Sequence, residues 1–156
     1  MITMKNTLFA LALVLFISCD NEKKTEEDID FTAKNEADIK AYVEENNLTA
    51  VRSNSGLYYV IEEEGTGTQA VASSNVTVAY KGYFLNGSVF DQSDAEGITF
   101  GLNQVIAGWT EGITYFKEGG SGILLVPAHL GYGSRDYSGI PGGSVLIFEV
   151  SLISVN

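Results

Sequence analysis

The residues of this chain that could do chemistry are aromatic rather than nucleophilic. Val105, Ile106, Ala107, Gly108 and Trp109 place an apolar pair and a glycine before the one tryptophan, at the start of a short helical pattern. An indole in that position is either an ordinary core side chain or a ring laid flat as the floor of a pocket. Tyr80, Phe90, Asp91, Phe100, Tyr132 and Phe148 recur along the chain as its company. The chemistry of such a pocket would be that of shape and apolar surface, with no covalent intermediate.

Other chemistries lack their groups. Cys19 is the one cysteine and His129 the one histidine, which excludes a structural zinc site made only of thiolates and imidazoles. A Cys/His dyad fails because Cys19 lies outside the folding part of the chain. His129 reads as a surface or structural residue. Gly131-Tyr132-Gly133 has no Lys-Ser/Thr ending, and Asp136 follows closely, so it is not a phosphate loop. Asp94 and Glu96 read as a solvated loop rather than a glycosidase pair. Neither metal nor cofactor is expected.

Twenty acidic residues against nine Lys and Arg give a formal net charge of -11, which repels phosphate backbones and argues against nucleic acid as a partner. A hydrophobic fraction of 45%, with eight Tyr and eight Phe, favours strands and pockets over helical bundles. The length of 156 residues fits one domain with small appendages.

The elements that must position the aromatic residues begin after a targeting segment. Residues 1–18 read as a signal peptide, with Lys5 as its positive flank and an apolar run from Leu8 to Ile17. The run is shorter than the ~20 residues a bilayer span needs. Met4 is an alternative start to Met1. Phe16-Ile17-Ser18-Cys19 resembles a bacterial lipobox, so Cys19 is expected to carry lipid and hold the chain to an envelope membrane. The expected place is the outer membrane, facing the periplasm or the cell surface. Residues 19–50 then comprise lipidated Cys19, a charged tether from Asp20 to Asp30 and a helix from Asn35 to Asn47. Asn35 is the expected N-cap, with Asp38 three residues on. The helix reads as a spacer or a contact with a sister chain.

Residues 51–156 read as strands and turns. Leu57–Ile61, Val76–Phe84, Ser88–Phe90, Ile98–Phe100, Ser121–Val126 and Ser144–Val155 are expected strands, and Asn86-Gly87 is a hairpin turn. Trp109–Phe116 is an expected two-turn helix, and Pro127–Gly143 a long loop. Leu146, Phe148, Val150 and Leu152 alternate onto one face. The expected fold is α+β: an antiparallel β-sheet half-barrel wrapped around one short α-helix, preceded by an N-terminal helix and tether.

From Gly56 to Val155 the chain resembles the FKBP-type peptidyl-prolyl isomerases. The motifs are Val78-Ala79-Tyr80-Lys81-Gly82, Gly87-Ser88-Val89-Phe90-Asp91-Gln92-Ser93 and Val105-Ile106-Ala107-Gly108-Trp109. Pro127-Ala128-His129-Leu130-Gly131-Tyr132-Gly133, Ile140-Pro141 and Leu146-Ile147-Phe148-Glu149-Val150 continue them. The leader, tether and leading helix resemble membrane-anchored flavobacterial members, some linked to gliding motility.

The resemblance implies acceleration of X–Pro bond rotation in exported proteins. Trp109 would be the floor under the substrate proline; Tyr80, Phe90, Phe100, Val105, Ile106 and Phe148 would be the walls. The Ile106 N–H and Tyr132 hydroxyl would bond substrate carbonyls, with Asp91 at the rim braced by Tyr80. The catalytic roles thus fall to Asp91, Tyr132, Trp109 and Ile106, and the partners are proline-containing polypeptides and macrolides such as rapamycin. A second reading is a chaperone or envelope assembly factor that captures proline-containing segments with little turnover. Three departures bear on substrate and drug preference: Ile98 where an aromatic is usual, a shortened Phe100 to Val105 segment, and a loop from Ser134 to Gly139 with its own aromatic.

Overall fold

A computed structural model describes residues 29–156. The expected signal peptide, Cys19 and the expected tether before Ile29 lie outside the described residues. One helix, α1 (Thr32–Glu45), precedes the sheet. Then come β1 (Val51–Arg52), β2 (Tyr58–Glu63), β3 (Asn75–Phe84), β4 (Val89–Gln92), β5 (Ile98–Gly101), a second helix α2 (Ala107–Gly112), β6 (Ser121–Val126) and β7 (Leu146–Val155). Short 3-10 turns at Leu102–Gln104, Ile113–Tyr115 and Ala128–Leu130 link them.

Every strand pairing is antiparallel, in the order β1-β2-β6-β7-β3-β4, with β5 also on β3. The two ten-residue strands β3 and β7 run together from Val76 opposite Val155 to Phe84 opposite Leu146, and they are the spine of the sheet. Alternation along β7 decides the faces: Leu146, Phe148, Val150 and Leu152 turn inward, while Ile147 turns outward. In β6 both faces are covered, Leu124 and Val126 inward and Ile123 and Leu125 outward. That double burial is why β6 reads as a continuous apolar run. The α+β open antiparallel sheet around a short helix is the expected architecture. Strand β1 escaped the sequence reading, since two residues carry no periodicity.

Helix α2 lies against the inner face and comes so close that a side chain at either of its glycines would force a shift. A Cβ on Gly108 would stand 2.5 Å from Val126 Cγ1, and one on Gly112 would stand 2.7 Å from Leu124 Cδ1. Spaced four apart, the two glycines share the face that meets β6. The helix starts two residues before the expected Trp109 and turns to 3-10 geometry after Gly112.

Helix α1 departs further from expectation. It starts at Thr32, three residues before Asn35; the Thr32 N–H is taken by Asp30 Oδ1 at 2.8 Å, and Asn35 is buried inside the first turn. Asp38 pairs with Lys34 instead of with a capping partner. Asn47, in the left-handed region at φ 52, sits just past the helix end. Rather than standing off as a spacer, α1 packs on the outer sheet face. Ile39 is fully buried among Tyr58, Ile123, Leu125, Val145 and Ile147, a burial of about 1.5–3 kcal/mol. Glu36 reinforces the docking by accepting from the Tyr58 hydroxyl at 2.8 Å and pairing with Lys40 and Arg52.

Candidate functional site

The inner face of the sheet, α2 and two loops line an open cavity of about 480 Å³. All nine pocket residues expected from the sequence line it: Tyr80, Phe90, Asp91, Phe100, Val105, Ile106, Trp109, Tyr132 and Phe148. Ile98, Gln104 and Tyr137 complete the lining. Ile98 and Tyr137 stood out in the sequence only as departures from a pattern. Gln104 gave no signal, because a polar residue in a short turn is ordinary.

Trp109 and Phe148 are the most enclosed residues of the lining, each 5% exposed. Tyr80 and Phe148 stand nearly perpendicular to Trp109 at ring separations of 5.1 and 5.2 Å, and Phe100 is tilted against it at 5.4 Å. Such edge-to-face contacts add about 0.5–1.5 kcal/mol each beyond area burial, so the indole is tightly held. Its Nε1 is the one buried side-chain nitrogen or oxygen among the described residues without a hydrogen-bond partner. Exceptions of that kind gather where a fold serves something besides stability.

Phe90 and Asp91 are consecutive, so a regular strand would send them to opposite faces. A register shift between β3 and β4 prevents this: Gly82 pairs with Asp91 and Tyr83 with Val89, leaving Phe90 as the extra residue of a bulge. Phe90 then lies over Gly82, where a Cβ would stand 2.7 Å from its ring, and meets Phe148 edge-on at 5.6 Å. Asp91, opposite Gly82, turns to the same side as Tyr80. Its Oδ2 accepts from the Tyr80 hydroxyl at 2.6 Å and its Oδ1 from the Gln92 N–H at 2.9 Å. Burial, and then the bond to Asp91, push the Tyr80 phenol far above its ordinary pKa of 10.0, so it stays protonated and donates.

Ile106 is the N-cap of α2, in extended geometry with φ -59 and ψ 148. Its carbonyl accepts from the Trp109 N–H at 2.9 Å, while its own N–H precedes the helical ladder. The short segment between Phe100 and Val105 is taken up by Gly101 and the 3-10 turn. The Thr110 hydroxyl ties that turn to α2 by donating to the Leu102 carbonyl at 2.6 Å.

Tyr132 enters from the loop between β6 and β7 and stacks on Tyr137 at 4.8 Å, with the planes 9° apart. Tyr137 is placed by a tight hairpin. It exchanges two backbone bonds with Ile140, and Ser138 and Gly139 between them both have positive φ, which is type I′ geometry. Burial first, then the Tyr137 phenol and the Asp91 carboxylate, raise the Tyr132 pKa, so its hydroxyl is a donor throughout the neutral range. His129 is exposed on the same loop and bonds the Ser55 carbonyl through Nε2 at 2.9 Å. Among the described residues no three His, Cys, Asp or Glu side chains come together to hold a metal ion.

The family profile for "FKBP-type peptidyl-prolyl cis-trans isomerase" matches residues 66–153. A relative from Buchnera aphidicola, "FKBP-type peptidyl-prolyl cis-trans isomerase FkpA", is 44% identical over 108 residues, covering 68% of this chain and 43% of its own length. The crystal structure of FkpA from Escherichia coli superposes with a TM-score of 0.71 at 40% identity, covering 80% of this chain and 61% of that one. A crystal structure of AtFKBP13 gives a TM-score of 0.63 at 32% identity, covering 69% of this chain and 98% of that one. The chain spans about half the length of the curated relatives it matches.

Proposed function

The chain belongs to the FKBP-type peptidyl-prolyl cis-trans isomerases, and from that membership we propose that its aromatic cavity accelerates rotation about X–Pro bonds in polypeptides. The observation that carries this reading is the convergence of residues from Tyr80 to Phe148 on one cavity with Trp109 at its base. Rotation must cross a barrier of about 18–20 kcal/mol, set by amide resonance. Unassisted, it takes ~10–100 s at 25 °C.

No bond is made or broken, so selective stabilisation of the twisted amide suffices. A planar amide carries charge separation that water solvates well; the twisted one has lost much of it. An apolar cavity therefore disfavours the ground state relative to the transition state. The proline ring rests on Trp109 between Tyr80, Phe90, Phe100, Val105, Ile106 and Phe148. The Ile106 N–H and the Tyr132 hydroxyl hold the flanking carbonyls while the bond turns. Asp91, kept at the rim by Tyr80, faces the rotating carbonyl. Macrolides such as rapamycin would enter the same cavity, with Ile98 and the Tyr132–Tyr137 stack altering their contacts.

An isomerisation assay on a Xaa-Pro peptide with the full-length chain tests this. Acceleration in proportion to protein concentration supports an enzyme. Peptide binding without acceleration would replace it with the capture of proline-containing segments as a chaperone or assembly factor.

The location is proposed from the leader alone. The apolar run to Ile17 and the Phe16-Ile17-Ser18-Cys19 stretch support lipidation of Cys19 and attachment to an envelope membrane, which would bring exported chains within reach. Cys19→Ala should then abolish palmitate labelling, and a labelled variant would refute the anchor.

A further inference from the structure

Asn35 is the one buried polar residue among the described residues, 1% exposed, and its side-chain bonds leave its own helix. Its Oδ1 accepts from the Ala128 N–H at 2.8 Å, and its Nδ2 donates to the Gly143 carbonyl at 2.9 Å. Ala128 and Gly143 stand at the two ends of the loop that carries Tyr132 and Tyr137. The same two residues also hold Gly133, the neighbour of Tyr132. The Gly133 N–H donates to the Ala128 carbonyl at 2.8 Å, and the Gly143 N–H donates to the Gly133 carbonyl at 2.9 Å. One side chain thus closes both stems of the loop, and the closed stems fix the backbone next to Tyr132.

We propose that Asn35 is a positioning residue for the cavity, through which α1 sets the place of Tyr132. Three observations support the coupling. Helix α1 lines no part of the cavity, yet it is independently docked to the sheet through Ile39 and the Glu36–Tyr58 bond, so Asn35 is a fixed point. The Tyr132 ring has little side-chain support of its own: it is 38% exposed, and its stacking partner Tyr137 is 58% exposed. A hollow of about 530 Å³ is bounded by both the loop and the start of α1, with Phe31, Thr32, Ala128, His129 and Tyr132 in its lining, so the two are not packed together there. The chemistry also requires this residue type. A planar amide presents one acceptor and one donor at a fixed separation; a carboxylate or an aliphatic side chain cannot serve both stems.

The consequence for substrates rests on the preceding assignment of Tyr132 as a substrate contact; the structural coupling does not. Hydrogen exchange on the full-length chain tests both when combined with peptide kinetics. In Asn35→Ala the amides of Ala128, Gly133 and Gly143 should exchange about tenfold faster relative to Leu124 and Leu125 in β6. KM for a Xaa-Pro peptide should rise at least about threefold, with a smaller change in kcat. Asn35→Asp keeps the acceptor for Ala128 and loses the donor for Gly143. It should loosen Gly133 and Gly143 while sparing Ala128, and it decides the matter if Asn35→Ala does not fold. Tyr58→Phe removes one anchor of α1 while Ile39 and the clamp itself remain, so it should loosen the loop amides and raise KM less than Asn35→Ala does. Wild-type loop protection in the Asn35 variants, or equal loosening in Tyr58→Phe, would overturn the proposal. The exchange ratio is independent of turnover, so a chain that fails to isomerise would defeat the enzyme assignment and leave the test of the clamp intact.

Discussion

The Tyr80 hydroxyl donates to Asp91 Oδ2 at 2.6 Å, joining neighbouring strands across the bulge that turns Asp91 inward. Tyr80 thereby does two jobs: its ring stands perpendicular to Trp109, and its hydroxyl holds a carboxylate at the cavity rim. Tyr80→Phe separates them by keeping the ring and releasing Asp91. It should lower kcat/KM about fivefold, equivalent to about 1 kcal/mol of transition-state stabilisation. Asp91→Ala should cost about the same. The double variant should lose no more than Asp91→Ala alone, because both act through one bond. Additive losses in the cycle would separate the two residues.

Gly108 lies at the tightest approach of α2 to the sheet. Alanine is the better helix former by about 1 kcal/mol, so propensity alone favours Gly108→Ala. Packing decides otherwise, since the new Cβ would stand 2.5 Å from Val126 Cγ1 on a β6 residue that is fully buried. Overpacking of this kind costs about 1–3 kcal/mol, and α2 would have to shift and carry Trp109 with it. Urea denaturation should show a net loss of stability, accompanied by weaker peptide binding. A neutral or stabilising result would mean that the helix has room to spare.

Acid should act on the docking of α1. Burial is the largest single influence on Glu36 and pushes its pKa up. The hydrogen bonds from Tyr58, Lys40 and Arg52 together outweigh it and bring the carboxyl from 4.5 down to about 2. A depressed carboxylate stabilises the folded state fully above its unfolded pKa and loses that contribution as pH falls toward the folded value. The window is therefore from about 4.5 to about 2. Glu36 is partly exposed, so after screening its contribution is on the order of 1–2 kcal/mol. Urea midpoints of the parent and Glu36→Gln should differ at pH 7 and converge as pH falls through that window. A gap that persists at pH 2 would show that Glu36 acts by packing rather than by charge.

The residues that carry local signals were legible. Alternation along β3 and β7, the Asn86-Gly87 turn and the apolar step into Trp109 each reflect a constraint imposed by near neighbours; the cavity lining came instead from the resemblance of the motifs to the isomerase family. What stayed hidden depends on groups far away in the chain. Asn35 looks like a helix cap because asparagine satisfies free N–H groups at helix starts. Its amide instead meets backbone groups 93 and 108 residues away, which no periodicity encodes. Helix α1 was hard to place because only part of one side is apolar; its burial comes from Ile39, Tyr42 and Val43 meeting the outer sheet face. The bulge at Phe90 was equally invisible, since a single extra residue leaves the alternation of so short a strand unreadable.

Trp109→Leu gives the most direct test that the cavity is the seat of isomerisation, because leucine keeps an apolar base while removing the ring surface. The parent and the variant, matched for folded fraction by circular dichroism, would be compared for kcat/KM on a Xaa-Pro peptide. A fall of about thirtyfold or more, which is about 2 kcal/mol, is expected with the fold retained. Turnover unchanged in the folded variant would contradict the assignment of this cavity as the active site.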